Sequence, residues 1–206
     1  SIYGYTENKT SNENSEVKSS YPYGISKFQG EIGIFQLADK NFSVIALRMG
    51  TICGYSPRMR FDLIINTMVK TVLTENKIII NNRNIFRPIL DIRDAIEAFR
   101  KAIEADYSIS AIFNIASGNY TVGEVGIRVK KFMEKFLNKK ISLEVKNIPD
   151  MRNYKVSIKK AKRYLKFTPS YSIEDTVNDI LAHKDEYGNF DDDRYYNIKI
   201  FNCLLY

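Results

Sequence analysis

Residues 21–53 read YPYGISKFQGEIGIFQLADKNFSVIALRMGTIC. Two periods are legible in that stretch. From Tyr23 to Ala38 the apolar residues Ile25, Phe28, Ile32, Ile34/Phe35 and Leu37 recur at three- and four-residue steps, which predicts a helix with an apolar face. Pro22 stands where a helix can open, with Ser19 and Ser20 before it as candidate caps. Residues 42–48, FSVIALR, are short and rich in β-formers, which predicts a buried strand. A helix that feeds a buried strand is a building unit of α/β proteins.

Outward from this unit the alternation continues. Residues 5–20, YTENKTSNENSEVKSS, are polar and read as a long surface loop. Tyr55-Ser56-Pro57 is a turn, and 61–73 looks helical. Strands are expected at 77–80 and 84–89, either side of Asn81-Asn82. Residues 92–105 form a strongly amphipathic helix, and 111–116 a strand that ends at Ser117-Gly118-Asn119. Thr121 with Glu124 three residues on makes a capping box for a helix reaching about Leu137. A strand at 141–145, a short helix at 159–166 and a longer one at 172–187 complete the body. The tail from Gly188 is acidic, then aromatic, and takes no element from its pattern.

Composition bounds the function. The 206 residues are 44% hydrophobic and 27% charged, ordinary globular usage, and no apolar run is long enough for a transmembrane helix. Cys53 and Cys203 make no disulfide framework, so a reducing cytoplasm is the default compartment. With His183 as the single histidine, neither a His/Cys zinc site nor a Ser-His-Asp mechanism is expected unless His183 serves it, and no metal ligands are assigned. The formal net charge of +7 attracts anions. Its densest patch is Lys155, Lys159, Lys160, Lys162, Arg163 and Lys166, read foremost as a solvated helix face. No interleaved aromatics or recognition helix accompany it, so nucleic acid is not an expected partner.

Tyr23 and Lys27 lie four apart, which puts both on one helix face with about 6 Å of rise between them. A free phenol titrates near about 10, too high for proton transfer at neutral pH, and a neighbouring ammonium favours the phenolate. A tyrosine tuned this way exchanges a proton with a sugar hydroxyl while hydride moves to or from a nicotinamide ring. The pattern alone is weak. With 14 tyrosines and 20 lysines, chance supplies roughly 1.4 such pairs, and the chain holds three. Tyr5/Lys9 falls in the polar stretch and Tyr195/Lys199 in the tail, so Tyr23/Lys27, on a packed helix before a buried strand, is the pair that context selects.

At this point SIYG, YPYGISKFQGE, VIALRMGTICGYSPRMRFD, RPILDIRDAIEAF, AIFNIASGNYTVGEV and DMRNYKVSIKKAKRYLKFTPS, in that order, resemble the extended short-chain dehydrogenases/reductases. More narrowly they resemble the NAD-dependent epimerase/dehydratase group acting on nucleotide sugars. The resemblance implies a partial Rossmann-type doubly wound parallel sheet with a smaller C-terminal α/β substrate domain. Residues 1–57, with 84–116 returning, would belong to the first part, and 58–83 and 117–206 to the second. It further implies Tyr23 as acid/base, Lys27 as its tuner and a ribose ligand, and Gly50 beside the cofactor, which would be NAD or NADP. Thr51, where many relatives carry Asn, and Asn66, Arg87 and Arg152 would contact a nucleoside-diphosphate sugar, the arginines clamping the diphosphate.

Each assignment has a plainer alternative. Asn66 could bridge backbone, Arg87 could sit in an ordinary ion pair, and Arg152 could pair with Asp150. Arg58 and Arg60 could be substrate contacts or merely solvated. Asn114 reads as a loop-ordering residue and His183 as a helix residue. The glycine-rich βαβ turn that opens the family is missing, since Gly30 and Gly33 fall inside the Tyr23 helix. Ser1 lies only two residues before Tyr3, so the family's catalytic Ser or Thr is expected upstream. The expectation is therefore the C-terminal portion of an enzyme, dimeric when complete through the Tyr23 and Ile92 helices. The alternatives are an inactive nucleotide-sugar-binding module or an RNA-binding relative of the same fold.

Overall fold

The computed structural model describes residues 2–148 and 152–197. Ser1, Asp150, Lys199 and Cys203 lie outside them. In chain order the elements are β1 (Tyr5–Ser11), α1 (Pro22–Phe35), β2 (Ile45–Met49), β3 (Thr51–Cys53), α2 (Ile64–Glu75), β4 (Lys77–Asn81) and β5 (Phe86–Asp91). They continue with α3 (Ile92–Ile103), β6 (Ala111–Ile115), β7 (Gly118–Thr121), α4 (Val122–Leu137), β8 (Ser142–Lys146), β9 (Asn153–Val156), α5 (Lys159–Tyr164) and α6 (Ile173–Ala182).

β2 and β3 are one extended run that changes neighbour at Gly50. β2 pairs in parallel with β6, Arg48 opposite Asn114, whereas β3 pairs in parallel with β5, Thr51 opposite Ile89. At the switch the Gly50 N–H donates to the Ile115 carbonyl at 2.8 Å. A Cβ there would lie 2.8 Å from the Pro88 carbonyl oxygen, so the crossing of the two ladders needs glycine. β5 also pairs antiparallel with β7, and β4 pairs in parallel with β8.

Two main hydrophobic clusters follow. Leu90, Ala98, Phe113, Ile115, Ala161, Leu165 and Phe167 form one cluster that packs β5 and β6 against α3 and α5. Ile65, Val69, Ile78, Ile80, Val125, Val129, Val177 and Ile180 join α2, α4 and α6 to β4. The tail that had no element in its pattern folds onto this second cluster. The Phe61 ring meets Tyr187 and Tyr195 edge-on, each at 5.2 Å between centroids, and the Tyr195 hydroxyl donates to the Tyr187 carbonyl.

Several boundaries carry their expected chemistry. The capping box is present: the Thr121 hydroxyl accepts from the Glu124 N–H at 3.1 Å and the Glu124 carboxylate accepts from the Thr121 N–H at 2.6 Å. α2 and α4 both stop at an asparagine in the left-handed region, Asn76 and Asn138.

Other readings are corrected. Residues 5–11 are not loop: they pair in parallel with β9, Ser11 opposite Val156. A strand needs a backbone edge to pair with more than it needs apolar side chains, and composition records only the side chains. Ser19 and Ser20 cap nothing; the helix opens at Tyr21 without a side-chain cap, and Pro22 at its start needs none for its missing N–H. Ser117-Gly118-Asn119, where the 111–116 strand was expected to end, leads straight into a further strand that begins at Gly118. The last helix stops at Ala182, followed by a 3₁₀ turn over Lys184–Glu186. The apolar face of α1 is also less covered than its period implies: Gly24 is its buried residue, while Ile25, Ile32 and Ile34 stay exposed.

Candidate active site

α1 delivers Tyr23 and Lys27 as their spacing requires. The Lys27 ammonium lies over the Tyr23 ring, 5.7 Å from its centroid, and the Tyr23 side chain is open to solvent at 64% exposure. One helical turn further, Glu31 anchors the helix. Its carboxylate takes a two-pronged ion pair from Arg48 on β2, at 2.8 and 2.6 Å. The same guanidinium donates to the Tyr3 hydroxyl at 2.8 Å and to the Glu13 carbonyl at 3.3 Å. Tyr3 in turn donates to the Asn114 side chain at 2.7 Å, and the Glu13 carboxylate accepts from the Asn114 N–H. Burial acts to lower the Arg48 pKa, but its hydrogen bonds to Glu31 and Tyr3 outweigh that and hold it above the ordinary value. Burial raises the Tyr3 phenol, partly offset by Arg48 and Asn114. The sequence reading overlooked this network except for Asn114 as an ordering residue. Its signal was the continuation of the Tyr23–Lys27 step to Glu31.

A second overlooked residue is Tyr154 on β9, which is 6% exposed and packs near Tyr3, ring centroids 6.4 Å apart. Burial raises its phenol; the charges of Arg87 and Arg152 pull it back, and Tyr23 and Tyr3 push it up. Tyr154 is thus the point at which Tyr23, Arg87 and Arg152 come within electrostatic reach of one buried group. The alternation Asn153, Tyr154, Lys155, Val156, with Tyr154 and Val156 buried, was its sequence signal.

The remaining residues divide. Gly50 and Thr51 sit at the strand switch, Thr51 half-buried in β3. Arg87 is nearly buried on β5, opposite Tyr120, and donates to the Phe86 carbonyl at 3.2 Å. Arg152 is exposed just before β9. Asn66 is placed apart: it is 1% exposed, its oxygen accepts from the Gly54 N–H and its nitrogen donates to the Gly54 carbonyl, both at 3.1 Å. Its amide bridges the backbone of Gly54. Arg58 donates to the Asn197 side chain, and Arg60 pairs with Asp62. His183 stacks on the Tyr55 ring at 3.7 Å. The Cys53 thiol is pushed up to about 12 by burial, which removes it as a nucleophile at neutral pH.

The donor set of Tyr23 and Lys27, a phenol and an ammonium side by side on an open helix face, fits the hydroxyls of a nicotinamide ribose. Gly30 and Gly33 lie in mid-helix with open space around them and form no phosphate turn for the pyrophosphate end of a dinucleotide.

Parallel strands layered with helices, with the exposed Tyr23–Lys27 pair on α1, make a Rossmann-like α/β scaffold. Residues 1–116 match the model of the NAD dependent epimerase/dehydratase family, and the chain belongs to that family. A Bacillus subtilis protein described as an uncharacterized UDP-glucose epimerase is 26% identical over 188 residues, covering 89% of this chain and 57% of its own length. The UDP-glucuronic acid 4-epimerase from Bacillus cereus, crystallised with NAD, superposes with a TM-score of 0.74 at 21% identity, over 91% of this chain and 60% of that one. RMD from Pseudomonas aeruginosa, crystallised with NADPH, gives 0.75 at 16% identity, over 90% and 64%. The chain therefore spans less than two thirds of the length of these relatives. No helix among the described residues is long and apolar enough to cross a membrane.

Proposed function

We propose that this protein takes part in NAD(P)-dependent epimerisation or dehydration of a nucleoside-diphosphate sugar, and that it supplies the acid/base and the grip on the diphosphate. The reading is carried by one observation, the Lys27 ammonium held over the ring of a solvent-open Tyr23. Bound NAD or NADP supplies the hydride acceptor. Tyr23 takes the proton of the sugar hydroxyl at its phenolic oxygen, and Lys27 beside it donates to the nicotinamide ribose. Gly50 lets backbone approach the cofactor, and Thr51 beside it meets the sugar. Arg87 and Arg152, whose charges both act on the Tyr154 phenol, hold the diphosphate, where planar guanidinium forks suit paired oxygens. Asn66, which also ties the Gly54 loop, contacts the nucleotide end of the substrate.

In this reading 1–57 and 84–116 form the cofactor part, and 58–83 and 117–206 the substrate part. The exposed Ile25, Ile32 and Ile34 of α1 and Ile96, Phe99 and Ile103 of α3 are the surface on which a second copy pairs. The test is Tyr23→Phe in protein that turns over a nucleotide sugar with NAD. Removal of the proton-transfer group lowers kcat by about 10²- to 10⁴-fold, with nucleotide-sugar affinity unchanged. A variant with near-normal kcat refutes the assignment.

A further inference from the structure

Between residues 151 and 173 the chain carries seven Lys and Arg and no Asp or Glu. That equals the formal +7 of the whole protein, so the other residues together are neutral. The structure gathers this charge on β9 and α5. Lys159, Lys162, Arg163 and Lys166 are exposed and recur at three- and four-residue steps. Among the described residues none of the cations from Lys155 to Lys166 is paired with a carboxylate. They lean on rings instead: Lys155 over Phe86 at 4.7 Å, Lys160 over Phe113 at 5.1 Å and Arg163 over Tyr164 at 5.2 Å. Ala161 of α5 and Leu165 just after it are buried in the core, while the Tyr164 ring stays exposed among the cations.

We infer that the cationic face of β9 and α5 steers a nucleoside diphosphate into the site between Arg87 and Arg152, raising its association rate without holding it once bound. The inference rests on the function proposed above, since Arg152 and Tyr154 open the same segment. Lys159 is five residues beyond Tyr154, hence at most about 17 Å away along the chain, and Arg163 lies about 6 Å further along the helix. The Debye length is about 30 Å at 0.01 M ionic strength and about 8 Å at 0.15 M. The whole face therefore acts on a diphosphate at low salt, and almost none of it at higher salt. A one-signed surface beside a site raises on-rates in this way.

The experiment is stopped-flow association of N-methylanthraniloyl-labelled UDP and ADP with the chain. Lys159→Glu/Lys162→Glu is compared with Lys131→Glu/Lys135→Glu, two exposed lysines of α4 that give the same change in net charge. At 0.01 M the α5 variant associates about tenfold more slowly, its dissociation rate is unchanged, and the difference vanishes at 0.5 M. The milder Lys159→Gln/Lys162→Gln variant, which keeps the fold under least strain, gives an intermediate rate. An equal loss in the α4 variant, a change confined to dissociation, or no salt dependence overturns the steering and leaves the proposed function standing. Binding of neither nucleotide to the unmodified chain overturns the diphosphate site itself, and the steering with it.

Discussion

Glu31→Ala removes the anchor of α1. Both members of the Arg48–Glu31 pair are about nine-tenths buried, at 10% and 11% side-chain exposure. Loss of one partner from such a pair costs about 3–5 kcal/mol, because a charge is left in a poorly solvated place. Arg48 keeps its bonds to the Tyr3 hydroxyl and the Glu13 carbonyl, which sets the figure at the low end, about 3 kcal/mol. At about 1.4 kcal/mol per factor of ten, that is roughly a 100-fold loss of protection. The loss falls on α1, which has little buried surface of its own. The assay is amide hydrogen exchange resolved by peptide, comparing α1 with α4. The double variant Arg48→Met/Glu31→Leu, which replaces the pair by hydrocarbon, recovers most of the protection. A change in α1 of less than about threefold, or a double variant as unprotected as the single one, refutes the reasoning.

Asn66→Ala leaves the buried Gly54 N–H and carbonyl unpaired and lowers stability by about 2–3 kcal/mol; a reduced urea midpoint at unchanged slope checks this, whereas a loss of nucleotide affinity at full stability would leave Asn66 a substrate contact alone. Alkali provides a separate test. Burial holds the Tyr3 and Tyr154 phenols above 10 in the folded protein, so the stability they contribute is complete below about pH 10 and is lost as pH rises towards their folded values. Urea midpoints measured from pH 8 to 11 should fall at the alkaline end, and Tyr154→Phe should flatten that limb.

The parts of this molecule that were legible in its sequence are those set by neighbours along the chain. Thr121 and Glu124 recognise each other across one helical turn, and Tyr23 and Lys27 share a face because helical geometry leaves them nowhere else to go. The parts that were not legible depend on what the chain meets at a distance. Tyr5–Ser11 has a strand partner about 145 residues later and little in its own composition to announce it. The period of α1 specified an apolar face without specifying a cover, and Ile25, Ile32 and Ile34 remain outside. Asn66 shows the same limit at the site: an amide is equally suited to a phosphate or to a peptide group, and nothing along the chain named Gly54 as its partner. Tyr154 was missed because its alternation with Val156 announces a half-buried strand and nothing more until the charge of Arg87 reaches it from another strand.

The run through Gly50 belongs to two ladders at once, one half bonded to β6 and the other to β5. A rail shared in this manner cannot act as a hinge, because parting the two layers would tear backbone bonds on one side or the other. Sliding would break the same bonds, so the strands on either side of Gly50 move as one body.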